Sequence, residues 1–373
     1  MKITSVKVSI YSYRVEEVFG NSRQWNRCRN TVLIAVETDE GITGHGEADC
    51  AGGPPEVTAS IVKRELAPLM IGMDPLCAEQ IWMKLYDQTM VHGRRGAIIA
   101  GISGIDIAIW DLAGKALGVP VYKLLGGARD KVQPYASGGF YHEDWTVAQY
   151  GKEAETGRNN GFTAFKMKIG RYAQEKDLAR VKAVRDAIGE ECSLMVDANS
   201  NYQPKEAVRM ARAMEELRVD WFEEPVTVEN IRGSALVASM TSIGLAGYET
   251  THTRYGFRDL IDAAAIDIAQ PDVARAGGFT ECRKIAAYAS AHNILCTPHV
   301  FGSAMSLVAG LHFVAAIENG YFLECEQNRN PLRTDMFHQD ITAMDKNGLV
   351  TVPQGPGLGV DIDWKAIEKY KLA

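Results

Sequence analysis

The sequence predicts an α/β protein, a β/α barrel preceded by a smaller α+β domain. Three observations predict it. The first is a ladder of charged residues: Lys166 and Lys168, Asp197, Glu223, Glu249, Asp272, His299 and Glu324, with steps from Lys168 onward of 29, 26, 26, 23, 27 and 25 residues. That interval is one βα unit, and charged groups at the ends of successive parallel strands are how a barrel builds an active site on its top face. The second is that each of these residues closes a short apolar run (FTAFKMK, CSLMVDAN, VDWFEEP, IGLAGYET, AIDIAQPD, ILCTPHV, YFLECE), and each run precedes a stretch long enough for a helix. The third is length: 373 residues exceed a typical single domain, so one barrel plus a smaller domain is expected.

Taken in order, MKITSVKVSIYSYRVEE alternates apolar and polar residues and reads as a first strand rather than a cleaved leader. NTVLIAVETD and, after a turn at Gly41, GITGHGEA read as the next two. Val57 to Leu69 and Cys77 to Met90 carry apolar residues at helical spacing, and Gly101 to Leu117 is apolar almost all round, as a buried helix would be. Strands first and helices after make residues 1–125 an α+β domain. Gly118 and Pro120 end its last helix, and Gly126-Gly127 marks a hinge. Residues 126–330 hold eight strand candidates, from VQPYAS to YFLECE. Residues 331–373 lose the rhythm, and DKNGLVTVPQGPGLGVDI has the turns and short strands of a segment returning to the first domain. No uninterrupted apolar run has transmembrane length.

A net charge of −7 speaks against nucleic acid or an anionic membrane surface as partner, since both need a basic face. A small soluble ligand is expected instead. The seven cysteines are odd in number and scattered, with no CxxC pair, so neither a disulfide framework nor a zinc cluster is indicated. Reduced thiols in a cytoplasmic protein fit that usage.

Asp197, Glu223 and Glu249 are three carboxylates on consecutive strand ends, the oxygen donor set of a hard divalent cation, with Mg²⁺ the first choice. Without an ion they would repel one another. Lys166 and Lys168, two apart on a strand, point to one face. A lysine acts as a base only when its pKa falls toward neutrality, which a second ammonium and a divalent cation nearby would bring about. Asp272 and His299, on neighbouring strands, form an acid/base dyad in which the carboxylate fixes the imidazole tautomer. Glu324, if kept protonated, would donate a hydrogen bond to a developing oxyanion. His45, His142, His292, His312 and His338 are read as structural, and Glu175, Lys176 and Asp177 as a solvated surface.

The combination KMK (166–168), VDAN (196–199), FEEP (222–225), GYE (247–249), QPD (270–272), PH (298–299) and LE (323–324) resembles the enolase superfamily, mandelate racemase subgroup, over essentially the whole chain. GITGHGEA, SGIDIAIWDLAGKALGVPVYKLLGG and PQGPGLGV resemble its capping-domain and C-terminal segments. The resemblance implies a modified TIM barrel, (β/α)7β, with an N-terminal α+β capping domain. It implies that Lys168 is one base and His299, oriented by Asp272, stands on the opposite face of the substrate. Asp197, Glu223 and Glu249 would hold Mg²⁺, Lys166 and Glu324 would stabilise the substrate carboxylate as it becomes an enediolate, and Asn199 would lie beside the metal near a substrate hydroxyl. It further implies a homo-oligomer. One departure is Tyr248, where many members have a second glycine, and a bulky residue there is expected to shift the pocket wall or to disturb the Glu249 ligand slightly.

The reaction so implied removes the proton α to a carboxylate. Loss of the β-hydroxyl, with His299 as general acid, gives a 2-keto-3-deoxy acid, so the expectation is an acid-sugar dehydratase. Return of a proton to the α-carbon, or cyclisation, makes an epimerase or sugar-lactone cycloisomerase the alternative. A metal-dependent aldolase would not ordinarily call for paired lysines on one side and a histidine on the other, and a non-catalytic scaffold would have lost some of these residues. Specificity is expected from two loop-like segments, Arg14 to Arg29 (Arg23, Trp25, Arg27, Arg29) and Asp49 to Pro55. Tyr135, Ser137, Arg94 and Arg95 are further candidates.

Overall fold

The structure, a computed structural model, describes residues 1–372. Strand β1 (Ile3–Gly20) pairs antiparallel with β2 (Trp25–Thr38), and β2 pairs with β3 (Thr43–Ala48). The segment Arg14 to Arg29, expected as a loop, is therefore mostly a long hairpin with a short turn at residues 21–24. Its irregularity is confined to a register shift between Arg14 and Phe19. The charged side chains alternating with Val15, Val18 and Phe19 face solvent across a strand, and a polar strand face reads like a loop from sequence alone.

The helix Ala97–Leu117 packs on this sheet, and two glycines of GITGHGEA let it approach. A Cβ at Gly44 would lie 2.0 Å from the Ala108 carbonyl, and one at Gly46 would lie 2.2 Å from that of Gly104. The helix is long and apolar enough to cross a membrane, but nearly all of that apolar stretch is buried inside the protein. It is a core helix.

Eight parallel strands follow: β4 (Lys131–Gly138), β5 (Ala164–Lys168), β6 (Ser193–Asp197), β7 (Val219–Glu223), β8 (Gly244–Gly247), β9 (Ile268–Ala269), β10 (Leu295–Cys296) and β11 (Phe322–Glu326). Seven crossover helices join them, the (β/α)7β pattern. Their order is β10-β9-β8-β7-β6-β5-β4-β11. Cys296 and Tyr321 complete the ring, since Cys296 N–H donates to Asn319 O at 2.9 Å and Tyr321 N–H to Cys296 O at 3.0 Å.

Side chains on one face of a strand recur every second residue, and this sets the interior in layers. Tyr135, Ala164, Met195, Trp221, Ala246, Ile268 and Phe322 form an apolar layer inside the barrel. Two residues further along β5, β6, β7 and β11 stand Lys166, Asp197, Glu223 and Glu324. The register places Lys168 beside Asp197 and Asp197 beside Glu223. A charged layer therefore rests directly on a hydrophobic floor.

The last segment touches both parts. Strand β12 (Val350–Thr351) pairs with β4, while Val121 N–H donates to Gly357 O at 2.8 Å and Leu372 N–H to Ile10 O at 2.8 Å.

Candidate active site

The charged layer opens into a cavity of about 760 Å³ whose lining includes Lys168, Asn199, Glu249 and His299 from the barrel and Arg23 and Arg95 from the N-terminal domain. The ladder residues converge beneath and around it. Lys166 Nζ donates to Glu223 Oε1 at 2.7 Å and Oε2 at 2.9 Å, and lies 2.9 Å from Glu324 Oε1. Lys168 Nζ donates to Asp197 Oδ2. On the other side, His299 Nδ1 is 2.7 Å from Asp272 Oδ2, and Asp272 Oδ1 accepts from Ala274 N–H at 2.7 Å. A carboxylate only accepts, so Nδ1 carries a proton, and Nε2 faces Glu249, whose Oε2 is 3.0 Å away and pairs with the imidazole when it is protonated.

The electrostatics correct one expectation and qualify another. From the protein's own groups alone both lysines have raised pKa values, the expected lowering being one that a divalent cation would bring about. Burial pulls Lys166 down but Glu223 and Glu324 outweigh it, and burial pulls Lys168 down but Asp197 outweighs it. With the carboxylate charge uncompensated, the ammonium groups serve as its counter-ions. Glu324 is an ionised acceptor rather than a protonated donor: burial raises its pKa, but Lys166, His299 and Lys168 pull it below the usual carboxylate range, and its Oε2 accepts from Val300 N–H at 3.0 Å. His299 is raised to about 9, since Glu249, the Asp272 hydrogen bond and Glu324 overcome its burial.

The residues fit a divalent cation. Oxygen atoms of Asp197, Glu223 and Glu249 lie within 4.8 Å of one another. Asn199 Oδ1 is buried without a hydrogen-bond partner, which is costly unless something else satisfies it. Burial pushes Glu223 up to about 7. Asn199 is tied to the cluster, its N–H donating to Asp197 Oδ1 at 2.7 Å and its Nδ2 to Oδ2 at 3.2 Å.

The substrate-binding candidates divide. Arg23 lines the cavity and donates from Nε to Asn199 O at 2.8 Å, and Arg95 lines it as well. Trp25 instead lies under Arg171, whose guanidinium is 4.3 Å from its ring centroid. Arg27 and Arg94 are exposed and outside the lining. Arg29 is buried against Glu326 at 3.1 Å. Tyr135 belongs to the barrel floor, its ring centroid 5.3 Å below Lys166 Nζ, and Ser137 is buried in β4 away from the cavity. Tyr248 is not itself part of the lining: its side chain is fully buried in the hydrophobic core and its hydroxyl meets Ser234. Asp177, read as solvated, is fully buried and accepts from Arg180 at 2.8 Å.

Sequence reasoning passed over Glu224, which lines the cavity with Oε1 buried and unpartnered. Strand alternation sends it away from Glu223, but the chain leaves the strand there with φ +41°, so alternation ceases to apply. The doubled acid in FEEP was the available signal. Phe301 and Thr251 of the lining were also missed, as was Arg180, whose Nη1 donates to Lys168 O at 2.9 Å and Nη2 to Gly139 O at 2.7 Å.

Comparison with known proteins agrees with this architecture. Residues 149–366 match the enolase C-terminal domain-like family, and residues 17–126 match the mandelate racemase/muconate lactonizing enzyme N-terminal domain. The chain is 37% identical to D-galactarolactone cycloisomerase of Agrobacterium fabrum, over 100% of this chain and 99% of that one. It is 38% identical to arabinonate dehydratase of Saccharolobus solfataricus, over 91% and 90% respectively. Among solved structures, a racemase from Streptomyces coelicolor with bound magnesium superposes with a TM-score of 0.91 at 29% identity, covering 99% of this chain and 100% of that one. With both family domains matched in order and the strand-end charges converging on one cavity, the chain belongs to the enolase superfamily, in its mandelate racemase subgroup.

Proposed function

We propose that this enzyme is an acid-sugar dehydratase that removes the proton α to a carboxylate and expels water from the β-carbon, giving a 2-keto-3-deoxy acid. The observation that carries the reading is the meeting of Lys168, the three-carboxylate cluster and the Asp272–His299 pair around one cavity. Asp197, Glu223 and Glu249 would hold Mg²⁺, which supplies positive charge next to the substrate carboxylate and offsets the carboxylates that keep the lysine pKa values high. Lys168 would take the α-proton, and Lys166 would face the carboxylate as its charge develops. His299, protonated at Nε2, would give that proton to the departing β-hydroxyl. The C–O bond breaks, water leaves, and the remaining enol tautomerises to the ketone.

The polyol part of the substrate class is supported by buried acceptors. Asn199 Oδ1, Glu224 Oε1 and Thr251 Oγ1 all belong to lining residues and lack partners, as suits a ligand bearing several hydroxyl groups. A second reading, cycloisomerisation of a sugar lactone through the same α-proton removal, is favoured by the full-length identity to the Agrobacterium enzyme. Incubation with Mg²⁺ and a panel of aldonates, aldarates and lactones in D₂O, followed by mass spectrometry, separates them. Water loss that Lys168→Ala abolishes supports the dehydratase. Deuterium gain without water loss supports the isomerase reading, and no change across the panel refutes both.

A further inference from the structure

His299 sits on a connection that is neither strand nor helix, since β10 ends at Cys296 and the next helix, Ala304–Ala316, begins five residues after it. Residues 299, 300 and 303 are buried, with 301 and 302 half-buried, so the backbone polar groups of this connection need protein partners. Charged side chains from elsewhere provide them. Val300 N–H donates to Glu324 Oε2 at 3.0 Å, and Gly302 O accepts from Arg333 Nη2 at 3.1 Å.

The other partners come from the N-terminal domain. Glu47 on β3 accepts from Ser303 N–H at 3.1 Å, from the Ser303 hydroxyl at 2.5 Å and from Ser306 N–H at 2.9 Å, placing a carboxylate at the start of the helix that follows His299. Arg29 on β2 donates to Phe301 O, and its guanidinium lies 3.6 Å from the centroid of the Phe301 ring. That ring lines the cavity next to His299, their centroids 6.3 Å apart. Arg29 and Glu47 are buried and neither is among the residues that line the cavity.

The geometry points to Arg29 and Glu47 as positioning residues for His299: the N-terminal domain sets the barrel's acid/base group as well as covering the cavity. This rests on the reading of His299 as the acid/base residue. Without Arg29 the Phe301 carbonyl loses its donor and the ring its stacking partner. Without Glu47 two buried N–H groups are orphaned at the far end of the same connection, and either loss lets the imidazole drift from its aim.

The test is the pair Arg29→Met and Glu47→Ala, read in four ways: kcat and KM on the substrate that the panel identifies, Mg²⁺ affinity by calorimetry, thermal unfolding, and ¹⁵N-histidine NMR. In the spectra, His299 is assigned by the signal that His299→Asn removes. A displacement on the order of 1 Å predicts a loss of about 10- to 100-fold in kcat with KM and Mg²⁺ affinity within about threefold, because Asp197, Glu223 and Glu249 are carried by β6, β7 and the segment after β8 rather than by this connection. The His299 ring signals move in both variants. Unmoved ring signals with kcat within about twofold of wild type overturn the proposal. A loss falling equally on Mg²⁺ affinity also overturns it, since that marks general damage. If either variant fails to fold, Arg29→Lys and Glu47→Gln are read by the same criteria. If wild type acts on none of the acids, the functional reading fails separately and the ring signals alone decide the positioning.

Discussion

Asp272 grips His299 from one side only: its Oδ2 is 2.7 Å from Nδ1, while its Oδ1 is held by Ala274 N–H at 2.7 Å. The carboxylate cannot rotate without losing one of these bonds, so the imidazole is fixed in both orientation and tautomer. Asp272→Asn keeps the shape but offers an amide that can present N–H to Nδ1 and move the ring proton to Nε2. Turnover is expected to fall by about 100- to 10,000-fold with little change in KM. Steady-state kinetics on the active substrate checks this, and kcat within tenfold of wild type would remove Asp272 from the mechanism.

Lys168 and His299 flank the cavity from β5 and from the connection after β10, and neither belongs to the carboxylate cluster. Lys168→Ala and His299→Asn should each abolish turnover, by at least about 100-fold, while calorimetric Mg²⁺ binding survives. Chelation by EDTA should abolish turnover reversibly and leave the circular dichroism spectrum unchanged. Full activity in the double variant would refute the proposed acid/base assignment.

Arg180 supports the lysine strand from behind. It is fully buried between the rings of Tyr141 and Tyr150, at 4.1 and 4.0 Å, and ties Asp177 to the carbonyls of Lys168 and Gly139. Replacing it by Met removes one partner of a buried pair and leaves Asp177 charged and under-compensated, at a cost of about 3–5 kcal/mol. Urea unfolding measures the loss. A change below 1 kcal/mol would show that Tyr141 and the Gly170 amide alone suffice for Asp177.

The barrel was legible because its code is periodic. Lys168, Asp197 and Glu223 end their strands and stand next to one another in register, and a βα repeat marks that arrangement in the sequence itself. The walls of the cavity were not legible in this way. Arg23, Arg27 and Arg29 alternate along one short stretch, yet Arg23 lines the cavity, Arg27 is exposed and Arg29 is buried under Phe301. Their fates depend on how the hairpin docks on the barrel, a tertiary relation that local pattern does not encode. Glu224 escaped notice because a left-handed residue redirects the chain at a strand end. Asp177 looked solvated because it stands in a run of charges, Glu175-Lys176-Asp177, while the Arg180 that buries it lies one turn further on.

The division among the arginines has a kinetic consequence. Arg23→Ala and Arg95→Ala remove positive charge from the cavity lining and should raise KM for an anionic polyol by about 5- to 50-fold, with a smaller effect on kcat. Arg27→Ala, on the exposed strand face, should leave KM within about twofold. Equal effects of all three would mean that the arginines act through net charge rather than contact, and raising the salt concentration would then erase the difference from wild type.

His312 gives the fold a pH dependence of its own. Buried in the helix Ala304–Ala316, it accepts from Tyr122 N–H at 3.1 Å through Nδ1 and bonds Leu358 O at 3.0 Å through Nε2, joining barrel, connecting segment and tail. Burial pushes its pKa down to about 4, against the opposing pull of Leu358 O and Asp111. The unfolded chain takes up this proton below about pH 6.5 while the folded one refuses it until about pH 4, so the associated stability is present above that window and lost as pH falls through it. Asp106 and Glu153, raised by burial to about 7, act in the opposite direction, so the total pH profile is a sum. The informative quantity is the difference in unfolding free energy between wild type and His312→Gln, which should shift by about 2 kcal/mol toward the variant between pH 7.5 and pH 5. Urea titrations at the two pH values measure it. A constant difference would mean that His312 titrates alike in the folded and unfolded chains, so that burial does not hold it neutral, and a shift toward wild type would mean that the native state already carries the proton.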